Sequence, residues 1–311
     1  MRRGPVVLLA GPTASGKSAL AIGLAQAVGG TVINADSMQV YGELRVLTAR
    51  PSPAEESLVP HRLYGTLKAA EPCSAARWRT LAVAEIDAAH RAGRVPLLVG
   101  GTGLYFRALI DGLAPVPAVP AAIRARARHL HAEIGGAAFK SMLAERDRRG
   151  AERLHAGDSQ RLIRAWEVIE ATGRSLSDWQ AHAPAATLDA PVLTVMITPD
   201  RAALYAACDR RFAAMLANGA LDEVAALDAL GLDDQLPVMK ALGLPALRRH
   251  LQGALSRDQA TRAAQQATRN FAKRQLTWFR HQMRAQVTLS DPRRGAEGLA
   301  DSVRRFVLTA H

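Results

Sequence analysis

The spacing of apolar positions changes character along the chain, and that change predicts its architecture. Residues 5–10, Pro-Val-Val-Leu-Leu-Ala, form an unbroken apolar run of strand length, as expected of a strand buried on both faces of a parallel sheet. A helix is predicted over 17–27, a second strand over 31–35 and a third over 95–99. Residues 75–92 have helical spacing, with Trp78, Leu81, Ile86 and Ala89 available for a buried face. Strands alternating with helices imply an α/β fold with a parallel sheet. Near Asp111 the pattern changes. Residues 114–120, Ala-Pro-Val-Pro-Ala-Val-Pro, read as a hinge. Only helices follow, at 122–134, 137–148 and 159–172, with Asp158 able to cap the last and Gly173 to end it. A strand returns at 191–198, and helices fill 201–218, 221–229 and 257–284. The expected organisation is a core of residues 1–117 and 191–311, interrupted by an all-helical insertion at 118–190.

Composition narrows the class. With 311 residues and 49% apolar content, the chain can bury a substantial core. No run of about 18 uncharged apolar residues is present, so no membrane span is expected. The start, Met1-Arg2-Arg3, has the basic flank of a secretory signal. The apolar run after it, Val6 to Ala10, is too short and ends in a glycine-rich turn, so it reads as a strand. Cys73 and Cys208 are far apart and match no metal spacing, which fits a reducing cytoplasm. The net charge of +12 is uneven: residues 248–284 hold nine basic residues and one acidic residue, Asp258. Such a stripe suits a polyanion such as RNA, or is a solvated arginine-rich helix surface.

Gly11-Pro12-Thr13-Ala14-Ser15-Gly16-Lys17-Ser18 matches the P-loop pattern, with a strand before it and a helix after. Backbone amides and the helix N-terminus of such a loop hold phosphate oxygens. Lys17 would neutralise them, and Ser18 would ligate Mg²⁺. The motif identifies a phosphate, not a reaction. P-loop hydrolases usually place an acid at the end of another apolar strand. Here Val95 to Val99 runs into Gly100-Gly101-Thr102-Gly103 without one, which counts against an ATPase. That second loop is either a close-approach loop with Thr102 as a polar contact or a plain turn. Asp36 stands just beyond the second predicted strand, at the sheet edge where ligands bind. It can serve as a general base, or as a helix N-cap together with Ser37.

Further segments complete a pattern: Ala35-Asp-Ser-Met-Gln-Val-Tyr41, Thr48-Ala-Arg-Pro-Ser52, Pro60-His-Arg-Leu63, Leu98-Val-Gly-Gly-Thr-Gly-Leu-Tyr105, Ser159-Gln-Arg-Leu-Ile-Arg-Ala165 and Ala272-Lys-Arg-Gln-Leu-Thr-Trp-Phe-Arg280. In this order, over residues 5–280, the chain resembles the tRNA isopentenyl transferase family. The resemblance implies a P-loop NTPase-like core, Mg²⁺, dimethylallyl diphosphate as donor, and the adenosine 3′-adjacent to the anticodon of tRNA as acceptor. It implies Asp36 as general base, joined by Lys17 and Thr102 in the catalytic set. It implies that Gly11, Pro12, Thr13, Ala14, Ser15, Gly16, Lys17 and Ser18 hold the diphosphate. It further implies RNA contacts from Asp36, Ser37, Met38, Gln39, Thr102, Arg124, Gln160, Arg161, Leu162, Ile163 and Arg164, in a cytoplasmic monomer. The chain departs from the family at Arg50, where lysine is frequent, at Arg62, and over 238–245, where isoleucine-glycine-tyrosine-glutamate is common.

The implied chemistry is coherent. Leaving pyrophosphate develops charge where amides, Lys17 and Mg²⁺ are aimed. A poorly nucleophilic adenine amine needs positioning and a base, and the adenine must leave its stack. On 159–172, Gln160, Arg164 and Glu167 share one face, and Leu162, Trp166 and Ile169 another. Phe271, Trp278 and Phe279 are expected in the core, while Lys273, Arg274 and Arg280 can reach phosphates. The alternatives are a prenyltransferase acting on free adenine nucleotides, a P-loop kinase, and a non-catalytic RNA-binding protein.

Overall fold

The computed structural model describes residues 3–181, 188–292 and 296–310; Met1 and Arg2 of the basic start lie outside them. The chain divides into two compact units: Met1–Leu109 with Asp189–His311, and Ile110–Leu188.

The first unit opens with β1 (Val6–Ala10), α1 (Lys17–Val28), β2 (Gly30–Asn34), α2 (Pro53–Leu58), β3 (His61–Arg62), α3 (Ala75–Arg91), β4 (Val95–Gly100) and α4 (Gly103–Ile110). The second unit holds α5 (Ala121–Arg146), α6 (Arg148–Glu152), α7 (Ser159–Thr172) and α8 (Leu176–Ala181). The first unit resumes with β5 (Val192–Ile197), α9 (Arg201–Ala217), α10 (Ala220–Asp228), a 3₁₀ turn Pro237–Lys240, α11 (Leu244–Leu251), α12 (Arg257–Gln282), β6 (Val287–Leu289) and α13 (Ala296–Thr309).

The six strands form one sheet in the order β3-β2-β4-β1-β5-β6, every pairing parallel. β1 is central, with Val7 opposite Leu97 on one side and Leu193 on the other. All five of its residues are fully buried, the reason its sequence is apolar without alternation. This is a P-loop NTPase-like fold, and its central strand delivers the loop at residues 11–18 to the sheet edge where ligands bind.

One face of the sheet packs Val7, Leu9, Val32, Leu97 and Val195 with Leu20 and Leu24 of α1 and Leu299 and Val303 of α13. Each such side chain contributes about 1.5–3 kcal/mol when fully buried. α3 buries Trp78, Ala82, Ile86 and Ala89; Ala82 takes the place expected of Leu81 because it lies one turn beyond Trp78. The second unit has its own core of Phe139, Leu143, Ala151, Leu162, Ala165 and Ile169. Its long helix is interrupted at Gly135 (φ 78°, ψ 164°), which explains why two helices are read there. Asp158 caps α7 by accepting from the Arg161 amide, and Gly173 ends it in the left-handed region.

Candidate active site

The cradle begins where β1 stops. At Gly11 an added Cβ would lie 3.1 Å from both Ile197 Cβ and its carbonyl oxygen, so the chain turns there without a side chain. Ala14 (φ 60°) and Gly16 (φ 84°) then curl the loop through the left-handed region into α1. Gly16 offers no side-chain cap, so the first amides of α1 remain directed at any anion seated on the loop. Ser15 is 6% exposed, and its hydroxyl has no hydrogen-bond partner. Burying such a group unpaired costs roughly 1–3 kcal/mol, a cost that a diphosphate oxygen would remove. Lys17 donates to the Pro12 carbonyl at 2.5 Å. Burial pushes its pKa down to about 7, against the pull of Asp36 and with a further push from Arg211. An anion beside it would restore its charge. Ser18 is exposed on the first turn of α1, the position from which a hydroxyl meets a phosphate-bound cation. Among the described residues no group of three or more His, Cys, Asp or Glu side chains converges.

Arg211 of α9, which the sequence reading missed, reaches the same loop. It donates to Thr13 Oγ1 at 3.2 Å and to the Thr48 carbonyl at 3.2 Å. Burial lowers its pKa, and Asp36 counters that effect. Lys17, Arg211 and Asp36 are thus electrostatically coupled. Gln275 of α12 is a second missed residue. Only 6% exposed, it accepts from the Thr13 amide and donates to the Gly101 carbonyl, both at 2.8 Å. One side chain therefore ties the cradle to the glycine loop after β4.

That glycine loop is a close-approach loop. A Cβ on Gly100 would sit 2.1 Å from the Ala35 carbonyl oxygen, one on Gly101 2.2 Å from Gln275 Nε2, and one on Gly103 2.2 Å from the Trp278 ring. The approach brings Thr102 Oγ1 to within 3.0 Å of the Ser37 amide, from which it accepts. Thr102, expected in the catalytic and RNA-contacting sets, places its hydroxyl on the turn that carries Asp36. Fully buried Asn34 fixes the other side of that turn. It accepts from the Asp36 amide at 2.8 Å, donates to the Asp36 and Leu63 carbonyls, and its own carbonyl accepts from Trp78 Nε1.

Asp36 is not a helix cap, because the next helix begins only at Pro53. Its Oδ1 accepts from the Met38 amide at 2.9 Å, which sets the rotamer. Its second oxygen has no protein partner among the described residues, and the side chain lines a cavity of about 280 Å³. Thr13 lines the same cavity, so the carboxylate and the cradle open on one space. Leu47, Phe212 and Met215 give the cavity an apolar wall, and the exposed side chains of Lys240 and Arg274 stand at its rim.

Several sequence-named residues sit differently from expectation. Phe271, expected in the core, is partly exposed on the cavity, with the Arg274 guanidinium carbon 5.8 Å from its ring centre. Phe279 is core at 1% exposure. Gln39 directs its amide nitrogen to the Thr48 and Ala49 carbonyls, and Ser37 and Met38 line the cavity. In the second unit, Gln160, Arg161 and Arg124 are exposed, and Arg164 pairs with Glu167 at 3.6 Å. Leu162 is fully buried with Phe139 and Ile169, so its side chain is not available to RNA; it falls on the helix face that also carries Ala165 and Ile169. Ile163 is partly buried against the same cluster. Glu167, expected on the polar face, is 7% exposed and is balanced there by Arg164. Of the nine basic residues over 248–284, Arg248 is held by Asp228 and Asp234, and Arg269 by Asp209. The other seven are exposed.

A profile of the IPP transferase family matches residues 39–282, and one of the isopentenyl transferase family matches residues 4–69. The chain is 61% identical over 282 residues to a tRNA dimethylallyltransferase of Rhodospirillum centenum, covering 90% of each chain. It is 55% identical over 287 residues to one of Paramagnetospirillum magneticum, covering 92% of this chain and 91% of that one. The crystal structure of a full-length tRNA isopentenylpyrophosphate transferase from Bacillus halodurans superposes with a TM-score of 0.70 at 30% identity, over 98% of this chain and 97% of that one. A eukaryotic dimethylallyltransferase acting on tRNA superposes with a TM-score of 0.79 at 25% identity, over 97% of this chain and 78% of that one.

Proposed function

The chain belongs to the isopentenyl transferase family that modifies tRNA, and from that premise we propose that it moves a dimethylallyl group from dimethylallyl diphosphate to the exocyclic amine of the adenosine 3′-adjacent to the anticodon. The products are isopentenyladenosine in tRNA and pyrophosphate. One observation carries the reading: Asp36, with only one of its oxygens taken by the Met38 amide, and Thr13 of the phosphate cradle line the same cavity.

The donor diphosphate sits on Gly11, Pro12, Thr13, Ala14, Ser15, Gly16, Lys17 and Ser18. Ser15 Oγ and the first amides of α1 bond its oxygens, and Lys17 and Arg211 balance its charge. This leaves the five-carbon chain against Leu47, Phe212 and Met215. The amine nitrogen forms a bond to the first carbon of the allyl group as that carbon's bond to the diphosphate oxygen breaks. The nitrogen's proton passes to Asp36, and the electron pair leaves with pyrophosphate. Preorganised cations around the departing oxygens are the larger rate term, and the base contributes about 10²–10⁴. Mg²⁺, when bound at Ser18, supplies further neutralisation of the leaving group. Thr102 and Asn34 keep Asp36 in place, and water is kept from the allyl group by the apolar wall.

RNA recognition fits the exposed cations of α12, which track a phosphate backbone, and the Phe271–Arg274 pair, whose planes suit an unstacked base. In the second unit the exposed residues Arg124, Gln160 and Arg161, with Arg164, are the contacts we assign to the anticodon stem-loop. All of these groups belong to one chain, so a monomer suffices. Free Cys73 and Cys208 fit a cytoplasmic setting, and no helix among the described residues is long and apolar enough to cross a membrane.

A free adenine nucleotide could enter the same cavity, so the acceptor is the point to test. Incubation with radiolabelled dimethylallyl diphosphate and either tRNA or AMP, followed by nucleoside analysis, should show label on tRNA adenosine only. Label on AMP at a comparable rate would make the chain a nucleotide prenyltransferase, and label on neither would end the reading.

A further inference from the structure

The segment that forms the cavity wall at Leu47 and Thr48 has no regular secondary structure, and three of its successive amides converge on a single distant carboxylate. Glu223, in the first turn of α10, accepts from three successive backbone amides. Its Oε1 takes the Arg45 amide at 2.9 Å and the Val46 amide at 2.7 Å. Its Oε2 takes the Val46 and Leu47 amides, both at 2.9 Å. Consecutive amides converging on one point form a nest, the backbone geometry that binds anions. Here the anion is part of the chain. Charge-assisted bonds of this kind are about twice as strong as neutral ones.

The segment clamped in this way leads directly into the reaction space. Leu47 and Thr48 line the cavity. The Thr48 carbonyl accepts from Arg211, whose other guanidinium nitrogen donates to Thr13 of the phosphate cradle. The same carbonyl accepts from Gln39 in the Asp36 turn. The line of contact therefore runs from Glu223 through the nest to Thr48, then to Arg211 and Thr13. The nest cannot close on itself: its amides point at Glu223 and not at carbonyls of the segment. With the carboxylate gone, three buried or half-buried N–H groups would be unsatisfied and the segment would shift, held only by its remaining bonds to Gln39, Arg211 and its own turn.

We infer that Glu223 is a positioning residue for donor binding, acting as an internal anion that seats the 45–48 segment so that Arg211 meets the diphosphate. It touches neither substrate nor the reacting atoms. The inference rests on the proposed donor site and adds to it a residue 176 positions away from Leu47 in the chain.

The test uses the full chain with dimethylallyl diphosphate in calorimetry and steady-state transfer. In Glu223→Ala the donor Kd and KM should rise about tenfold or more, with kcat at saturating donor changed less. Added formate or acetate should fill the emptied nest and bring the donor KM back toward the wild-type value in a saturable way. Glu223→Gln occupies the same space but sets an NH₂ donor against N–H donors, so it should be weakened and should not respond to formate. A purely structural role would give variants whose residual activity is insensitive to small carboxylates. Hydrogen exchange gives a measurement that does not need the alanine variant to fold: the Arg45, Val46 and Leu47 amides should be protected in the wild type and lose protection in Glu223→Gln, most at the amides that face the introduced NH₂. Unchanged donor KM in both folded variants, or an alanine variant that formate leaves unaltered, or unprotected wild-type amides, would overturn the inference. Failure of the wild type itself to bind the donor would instead refute the donor site, which the wild-type arm reads separately.

Discussion

Gln275→Leu is the sharpest perturbation of the site that leaves every proposed reacting group in place. The wild-type amide makes two hydrogen bonds of 2.8 Å in a position that is 6% exposed. Leucine has a similar size but no polar atom, so the Thr13 amide and the Gly101 carbonyl both lose their partner. Each unsatisfied buried group costs roughly 1–3 kcal/mol, and the added apolar burial offsets part of the total. A net loss of about 3 kcal/mol is expected. For a domain of this size 1 kcal/mol corresponds to about 2–4 °C, so the melting temperature should fall by roughly 6–12 °C. The functional effect should be specific as well. Thr13 carries both the cradle and the contact to Arg211, so the donor KM should rise about tenfold while the RNA KM moves little. Gln275→Glu is the internal control: it retains an acceptor for Thr13 and loses the donor to Gly101. Calorimetric melting and initial rates against donor concentration read the two effects. A leucine variant melting within about 1 °C of wild type with an unchanged donor KM would refute the clamp.

Three further outcomes are expected. Arg211→Ala should raise the donor KM at least about tenfold with an unchanged circular dichroism spectrum, because a cation facing the diphosphate is lost; an unaltered donor KM would remove Arg211 from the site. Phe271→Leu should weaken RNA use while leaving donor affinity alone, and Phe271→Tyr should restore it; with 2-aminopurine at the acceptor position, the leucine variant should give brighter bound-state fluorescence as stacking is lost. Lys17 has a pKa of about 7 in the folded protein against 10.5 ordinarily, so between these values the unfolded chain binds the extra proton and the unfolding free energy should rise with pH. Denaturant titrations across that window should show the slope in wild type and its reduction in Lys17→Met; equal slopes would contradict the burial of the ammonium.

What could be read from the sequence follows from how local each signal is. The cradle is eight consecutive residues between a strand and a helix, and Asp36 is two residues beyond a strand, so spacing alone placed both at the sheet edge. Gln275, Arg211 and Glu223 act on partners 262, 163 and 176 positions away, and their own helices give no periodicity signal that marks them. Asp36 could be read as cap or base from sequence; the absence of a helix before Pro53 and the contact from Thr102 separate the two. β3 and β6 are two and three residues long, below what alternation can reveal, and exist because β2 and β5 offer parallel edges to pair with. Leu162 was assigned to RNA by its motif, although its own helical spacing already placed it with Ala165 and Ile169 in the core. Phe271 was misread in the opposite direction, since an apolar side chain near a helix's buried stripe can equally line a cavity.

The account turns on a diphosphate seated on the loop at residues 11–18 with the free oxygen of Asp36 at the attacking nitrogen. Single-turnover rapid quench with labelled dimethylallyl diphosphate and excess tRNA, comparing wild type with Asp36→Asn, tests it most directly. The prediction is that the asparagine variant binds donor and tRNA as the wild type does and transfers label at least about a hundredfold more slowly. Transfer by that variant at close to the wild-type rate would contradict the assignment of the proton acceptor and the mechanism built on it.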